Sequence, residues 1–302
     1  MASIKLVVDS GAGLPPDLLK QHNIGVIPLQ VLVDGMNYLE GSQAGNISVS
    51  QITAAQRENK EVKTAAPPPG IAKQVFESIV DEQGIKDIVA LTLPKHSSGV
   101  FDSIKTGAQS LLTDRPADGL HIEVVDSYST AMGMGLLALR LAGEIEKGVG
   151  LDNAVAMAES WRHNIFVCAA LETTEYADKH GRVDGLLLVV NSVLKLHPTI
   201  ILLPNEKPKR FGIPHRAMKA ACNALVDKVV ERWPEKAGQG RLSVIKTDDE
   251  GRARYVAESL SARLGVPIGE IIMAEASAII IGQAGYGAVG IAVDCGRPVG
   301  TL

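Results

Sequence analysis

The chain has 302 residues, of which 46% are hydrophobic and 21% charged, and its formal net charge at pH 7 is −4. That length and apolar content suffice for two globular cores, and the slightly acidic balance excludes a general nucleic-acid surface, with the short basic run Lys207-Pro-Lys-Arg210 read as a solvated loop. No apolar stretch reaches the roughly 18 residues of a membrane span, and the start MASIKLVVD shows no leader pattern, so a cytoplasmic protein with no membrane span is expected.

In chain order, β-branched runs at 4–9, 26–34, 87–93 and 122–126 read as strands, and helical patterns fall at 48–58, 70–83 and 98–113. Pro28 lacks the N–H that a ladder needs, so the second strand is an edge or is irregular. Residues 63–70 read KTAAPPPG. Three prolines in a row exclude a helix interior or a central strand and hold Thr64 in a stiff, extended segment. Helices at 130–147 and 151–163 follow, with GVG at 148–150 between them. The rhythm then restarts: strands at 164–171, 199–204, 241–247 and 270–276, and helices at 173–180, 184–195, 215–232 and 249–264. The expected fold class is α/β with two lobes, 1–163 and 164–302, each a mostly parallel or mixed sheet flanked by helices, closing over a cleft.

Two glycine motifs invite a nucleotide reading. The loop DSGAGLPP (9–16) has Pro16 where a dinucleotide fingerprint needs its third glycine, and the following helix is too short to cover a sheet. GYGAVG (285–290) matches GxGxxG, but IAVD follows it where a helix should begin. We read it as a glycine-rich hairpin after a strand-like AIIIG, close to whatever binds in the cleft.

Hydroxyls gather at two strand-to-helix junctions: Thr64 before the prolines, and Ser97-Ser98-Gly99 in LPKHSSGVFDS. A helix start presents unpaired N–H groups and partial positive charge, so these hydroxyls suit an anion. They suit capping of their own helix equally. The seven histidines form no metal pair, and no GxSxG elbow or defensible carboxylate pair is present. Cys168, Cys222 and Cys295 are too sparse for a disulfide framework or a zinc site and read as reduced thiols.

Taken together, these landmarks resemble the DegV family of bacterial fatty-acid-binding proteins. VVDSGAGLP (7–15), IPLQV (27–31), YLEG (38–41), KTAAP (63–67), SSGVF (97–101), VVDSYSTAMGMG (124–135), LETTEYADKHGRV (171–183) and LKLHP (194–198) follow that family's motifs in order along nearly the whole chain. The resemblance implies a two-lobed fold holding one long-chain fatty acid, of the palmitate type, in a tunnel between the lobes. It implies that Thr64 and Ser98 bind the carboxylate, with Ser97, Gly99, Gln283, Ser10 and Arg182 around them. It implies a carrier that needs no cofactor and is not itself an enzyme.

At about 0.8 kcal/mol per buried CH₂, some fourteen methylenes contribute roughly 11 kcal/mol gross, and each hydroxyl bond to a charged oxygen about 1.5–3 kcal/mol. The chain then sets affinity and the head group sets orientation. Some family members present the acid to a separate fatty-acid kinase, with an arginine near Arg216 and a histidine taking part. Here Gln283 stands where that histidine would be, Val100 follows Ser98-Gly99 in place of threonine, and His180 and His197 replace a glycine and a lysine. The competing class is a nucleotide-dependent enzyme related to dihydroxyacetone kinase.

Overall fold

The computed structural model describes residues 4–40, 46–173, 175–179, 196–234 and 240–300. Arg182, His180 and the helix expected over 184–195 lie outside the described residues.

Strand β1 (Ile4–Asp9) is buried from Lys5 onward, as a strand covered on both faces must be. A 3₁₀ turn at Ser10–Ala12 and the six-residue helix α1 (Pro16–Gln21) lead to β2 (Gly25–Ile27). The single strand expected over 26–34 is two. Pro28 cannot continue the ladder, so the chain leaves one sheet after Ile27 and enters another as β3 (Gln30–Val33). Next come β4 (Met36–Leu39), α2 (Val49–Arg57) under a Ser48/Gln51 capping box, and β5 (Val62–Ala65). Thr64 is therefore a strand residue, opposite Val31. The proline run ends that strand and opens α3 (Pro69–Gln83), with Pro69 at the first helical position, where a missing N–H costs nothing.

β6 (Asp87–Thr92), α4 (Val100–Asp114) and β7 (His121–Asp126) complete a parallel sheet of order β2-β1-β6-β7. An antiparallel sheet, β4-β3-β5, stands beside it. After α5 (Met132–Ile145) and α6 (Leu151–Trp161) come β8 (Ile165–Ala170), α7 (Glu175–Lys179), β9 (Thr199–Leu202), β10 (Lys209–Arg210), α8 (Met218–Arg232), β11 (Arg241–Lys246), α9 (Glu250–Leu264), β12 (Ile272–Glu275), α10 (Ala278–Ala284) and β13 (Val289–Asp294). The second main sheet runs β10-β9-β8-β13-β11-β12. It is mixed: β11 and β12 are parallel and the other neighbours antiparallel.

Two elements join the halves. Helix α5 is buried from Met132 to Leu139 and again at Leu141 and Ala142, because it packs on β1 and β6 on one side and on β8, β11 and β13 on the other. Helix α10 overturns the expected strand AIIIG. Ser277 caps it by accepting the Ile280 N–H, and the helix packs on α2, β3 and β5 of the first half. Burial against those elements outweighs the β propensity of three consecutive isoleucines. The turn after α10 thus joins a helix to β13, and the hairpin expected there is absent.

Candidate functional site

Along the six-stranded sheet the side chains alternate. Phe166, Ile201, Val244 and Ile291 point into a core shared with α8 and α9. Val167, Ala169, Ile200, Leu202, Ile245 and Gly290 point the other way and line an apolar cavity of about 120 Å³. Ala169 and Gly290 are register partners, so the middle of that floor is nearly bare of side chains. Ile280, Gln283 and Ala284 of α10 and the loop residues Thr130 and Ala131 close the cavity opposite.

That loop is held in a costly conformation. Tyr128 and Ala131 have φ of 55° and 49°, in the region that L side chains avoid. Asp126 accepts the Tyr128 N–H at 3.1 Å, and Ser127 and Ser129 bond to each other at 3.0 and 3.2 Å, which fixes the turn. Gly133 fits beneath it for lack of a side chain: a Cβ there would stand 2.1 Å from the Ser129 Oγ.

Of the expected head-group residues, Gln283 lines this cavity. Thr64 touches Gly282 of α10, next to Gln283. Gly99 faces Ala66, two residues beyond Thr64, and the first turn of α4 is tied to the proline run by the Ser103 hydroxyl donating to the Pro67 carbonyl. Among the described residues neither the Thr64 hydroxyl nor the Gln283 amide has a hydrogen-bond partner, although Gln283 lines an apolar space. Ser98 Oγ accepts the Val100 N–H at 3.3 Å, while the Ser97 hydroxyl donates to the Pro94 carbonyl at 3.0 Å. Ser10 sits elsewhere, its hydroxyl donating to Glu40 at 2.8 Å and accepting the Leu29 N–H at 3.1 Å. Arg216 is exposed, just before α8.

An ion network secures the glycine turn behind Gln283. Gly285 and Gly287 have φ of 81° and 68°, which glycine adopts without strain. Asp248 accepts the Gly287 N–H at 2.6 Å and pairs with Arg57, whose guanidinium lies 4.8 Å from the Tyr286 ring centroid. Those bonds hold the Asp248 carboxyl below the usual carboxylate range against the opposing effect of burial. Arg252 donates to the Gly287 carbonyl and pairs with Glu172 at 3.1 Å. Tyr176 packs on Gly285 and donates to the Gln56 carbonyl at 3.0 Å.

Two further carboxyls, Asp9 at the end of β1 and Glu40 after β4, are shifted by the fold. Asp9 accepts the Gly11 and Leu93 N–H groups at 2.9 and 2.7 Å, and burial pushes it up to about 7. Burial likewise raises Glu40 to about 7 despite its bond from Ser10. Glu40 stood in the quoted YLEG motif, but nothing local indicated that its carboxyl would be enclosed. Among the described residues no group of three or more His, Cys, Asp or Glu is placed to hold a metal ion. The three cysteines are free and buried, and burial raises their thiols to about 12, 11 and 12. No helix among the described residues is long and apolar enough to cross a membrane.

A family model described as "Uncharacterised protein, DegV family" matches residues 3–294. The chain is 25% identical over 270 residues to a DegV domain-containing protein of Streptococcus pneumoniae, covering 89% of this chain and 91% of that one. It is 26% identical over 296 residues to a DegV domain-containing protein of Mycobacterium tuberculosis, covering 97% and 98%. Among solved structures it is similar to a fatty-acid-binding DegV family protein from Thermus thermophilus, with TM-score 0.83, 26% identity and coverage of 97% and 99%. A stearic-acid-binding protein from Eubacterium ventriosum shares the fold, with TM-score 0.86, 20% identity and coverage of 98% and 99%.

Proposed function

The chain belongs to the DegV family, and from that premise we propose that it binds one long-chain fatty acid in the apolar cavity between its two halves, 1–163 and 164–302, as a cytoplasmic carrier and not as an enzyme. The acyl chain lies over Ala169 and Gly290 and beneath α10, and the carboxylate turns toward Thr64, Ser98 and Gln283. Ser97 and Gly99 complete that rim. The observation that carries the reading is the Gln283 amide, without a hydrogen-bond partner among the described residues, on the wall of an apolar cavity, next to Gly282, which packs on Thr64. A carboxylate entering beside this amide meets a donor that is still available, and a hydrogen bond to a charged group contributes about 1.5–3 kcal/mol. The strand and proline run hold the Thr64 hydroxyl in advance, so little ordering remains to be done on binding.

Extraction of the purified protein into organic solvent, followed by mass spectrometry, tests this. A C14–C18 acid in one-to-one amount is expected. An empty extract together with tight nucleotide binding overturns the carrier reading in favour of an enzyme related to dihydroxyacetone kinase.

A fatty-acid kinase is the proposed acceptor, with exposed Arg216 at the contact. Gln283 can donate a hydrogen bond but cannot take up a proton or a positive charge as histidine can. Gln283→His is expected to raise acyl-phosphate formation with a cognate kinase. If neither version yields product, the partnership is wrong.

A further inference from the structure

Two turns meet across the halves. The first follows β6, where the N–H groups of Ser97 and Ser98 both donate to the Pro94 carbonyl, at 3.0 and 3.2 Å. Its base is fastened to its own half, because Asp9 accepts the Leu93 N–H at 2.7 Å and Asp126 the Lys95 N–H at 3.4 Å. The second follows β9. There the Glu206 N–H donates to the Leu203 carbonyl at 3.1 Å, and Asn205 takes a φ of 58°, in the left-handed region that asparagine tolerates. Leu202 and Pro208, on either side of this second turn, line the apolar cavity.

His96 joins the two. Its Nε2 lies 3.0 Å from the Glu206 carbonyl oxygen. A carbonyl only accepts, so Nε2 carries the hydrogen. Nδ1 is buried without a hydrogen-bond partner among the described residues, so the bond to Glu206 orients the ring. The Glu206 side chain is engaged separately, paired with Lys209 at 2.7 Å. The tie therefore ends on main chain and fixes the second turn itself. Ser98 stands two residues from it. Its hydroxyl accepts the Val100 N–H at 3.3 Å and still has a hydrogen to donate.

We propose that His96 is a positioning residue: by fastening the Pro94–Ser98 turn to the rim of the apolar cavity, it holds the Ser98 hydroxyl where a carboxylate emerging from that cavity meets it. The role of Ser98 rests on the carrier reading above. With Leu93 and Lys95 anchored on one half and His96 on the other, the turn is fixed before any ligand arrives, and little ordering is left for binding. Without the imidazole the turn keeps the bonds to its own half alone. The ligand must then order Ser98 itself, at a cost in affinity.

Titration with a fluorescent long-chain acid of the wild type, His96→Ala, His96→Gln, Ser98→Ala and the double variant His96→Ala/Ser98→Ala tests this. His96→Ala should weaken binding about fivefold, the worth of one neutral hydrogen bond. His96→Gln, whose amide nitrogen can take the place of Nε2, should stay within about twofold of the wild type. In the Ser98→Ala background the His96→Ala change should cost less than about twofold, because residues that act through one contact are not additive. Unchanged affinity in His96→Ala, no recovery with glutamine, or an equal loss with and without Ser98 overturns the proposal. The last of these is what a merely structural histidine would give. Hydrogen exchange of the Ser97 and Ser98 amides in ligand-free protein reads the tie without any fatty acid. Exchange should be faster in His96→Ala and return to the wild-type rate in His96→Gln, and equal rates in all three overturn the tie. A wild type that binds no acid sinks the carrier reading and the part of His96 in it, whereas the exchange result decides separately whether His96 orders the turn.

Discussion

Gly282 lies directly against Thr64: a Cβ built on the glycine would stand 2.8 Å from the threonine Cγ2. Helix α10 can press on strand β5 only because that position has no side chain. Gly282→Ala is expected to displace Thr64 or the helix at an overpacking cost of about 1–2 kcal/mol. Titration with a fluorescent long-chain acid should then show affinity weakened about tenfold. Unchanged affinity would mean that Thr64 need not stand where it does.

Thr64→Ala and Ser98→Ala each remove a hydroxyl proposed to meet the carboxylate. At about 1.5–3 kcal/mol per bond to a charged oxygen, each should weaken retention by roughly 10- to 100-fold. The double variant should lose bound acid during purification, as measured by mass spectrometry of the extract. Full retention in that variant would place the carboxylate elsewhere.

Ala169 and Gly290 leave the cavity floor bare. Ala169→Leu puts a side chain there, which should exclude the longer acids while leaving thermal stability within about 1 kcal/mol of the wild type, since space is being filled. The chain-length profile of co-purified acid should shift toward shorter species. An unaltered profile at unaltered amount would show that the acyl chain runs along another path.

Asp9 gives the fold a pH dependence of definite sign. Its folded value of about 7 lies above the ordinary 3.8. The folded state therefore holds a proton that the unfolded chain has released, and stability falls as pH rises from about 4 to about 7. Asp248 is shifted the opposite way and acts only below its ordinary range, where stability falls as pH drops. Melting temperatures measured from pH 5 to pH 8 should decline in the wild type and decline less in Asp9→Asn. The variant should also lose about 1–3 kcal/mol overall, because either Gly11 or Leu93 keeps a buried N–H without an acceptor. A slope identical in both proteins would rule out Asp9 as its source.

Much of this was legible from local chemistry. Pro28 interrupts a strand, the proline run holds Thr64 in an extended segment and opens a helix, and the helical patterns at 70–83 and 249–264 correspond to α3 and α9, each within one residue of its observed start. The glycine turn at 285–287 is legible in the sequence, but the helix that precedes it is not. Ala278–Ala284 looks like a strand in isolation and becomes a helix through its packing on α2, β3 and β5.

The sequence alone determined the α/β class, most of the long helices and buried strands, and the residues by which the family is known, because turn chemistry, periodicity and short motifs act over a few neighbours. Only the tertiary structure decided which side chains share a space. Gln283 reaches a cavity floored by Ala169 and Gly290, and Glu40 meets Ser10 and Ala278, residues 30 and 238 positions away. The enclosure that shifts Asp9 and Glu40 depends on what every packed element removes from water, and no stretch of chain carries that information by itself.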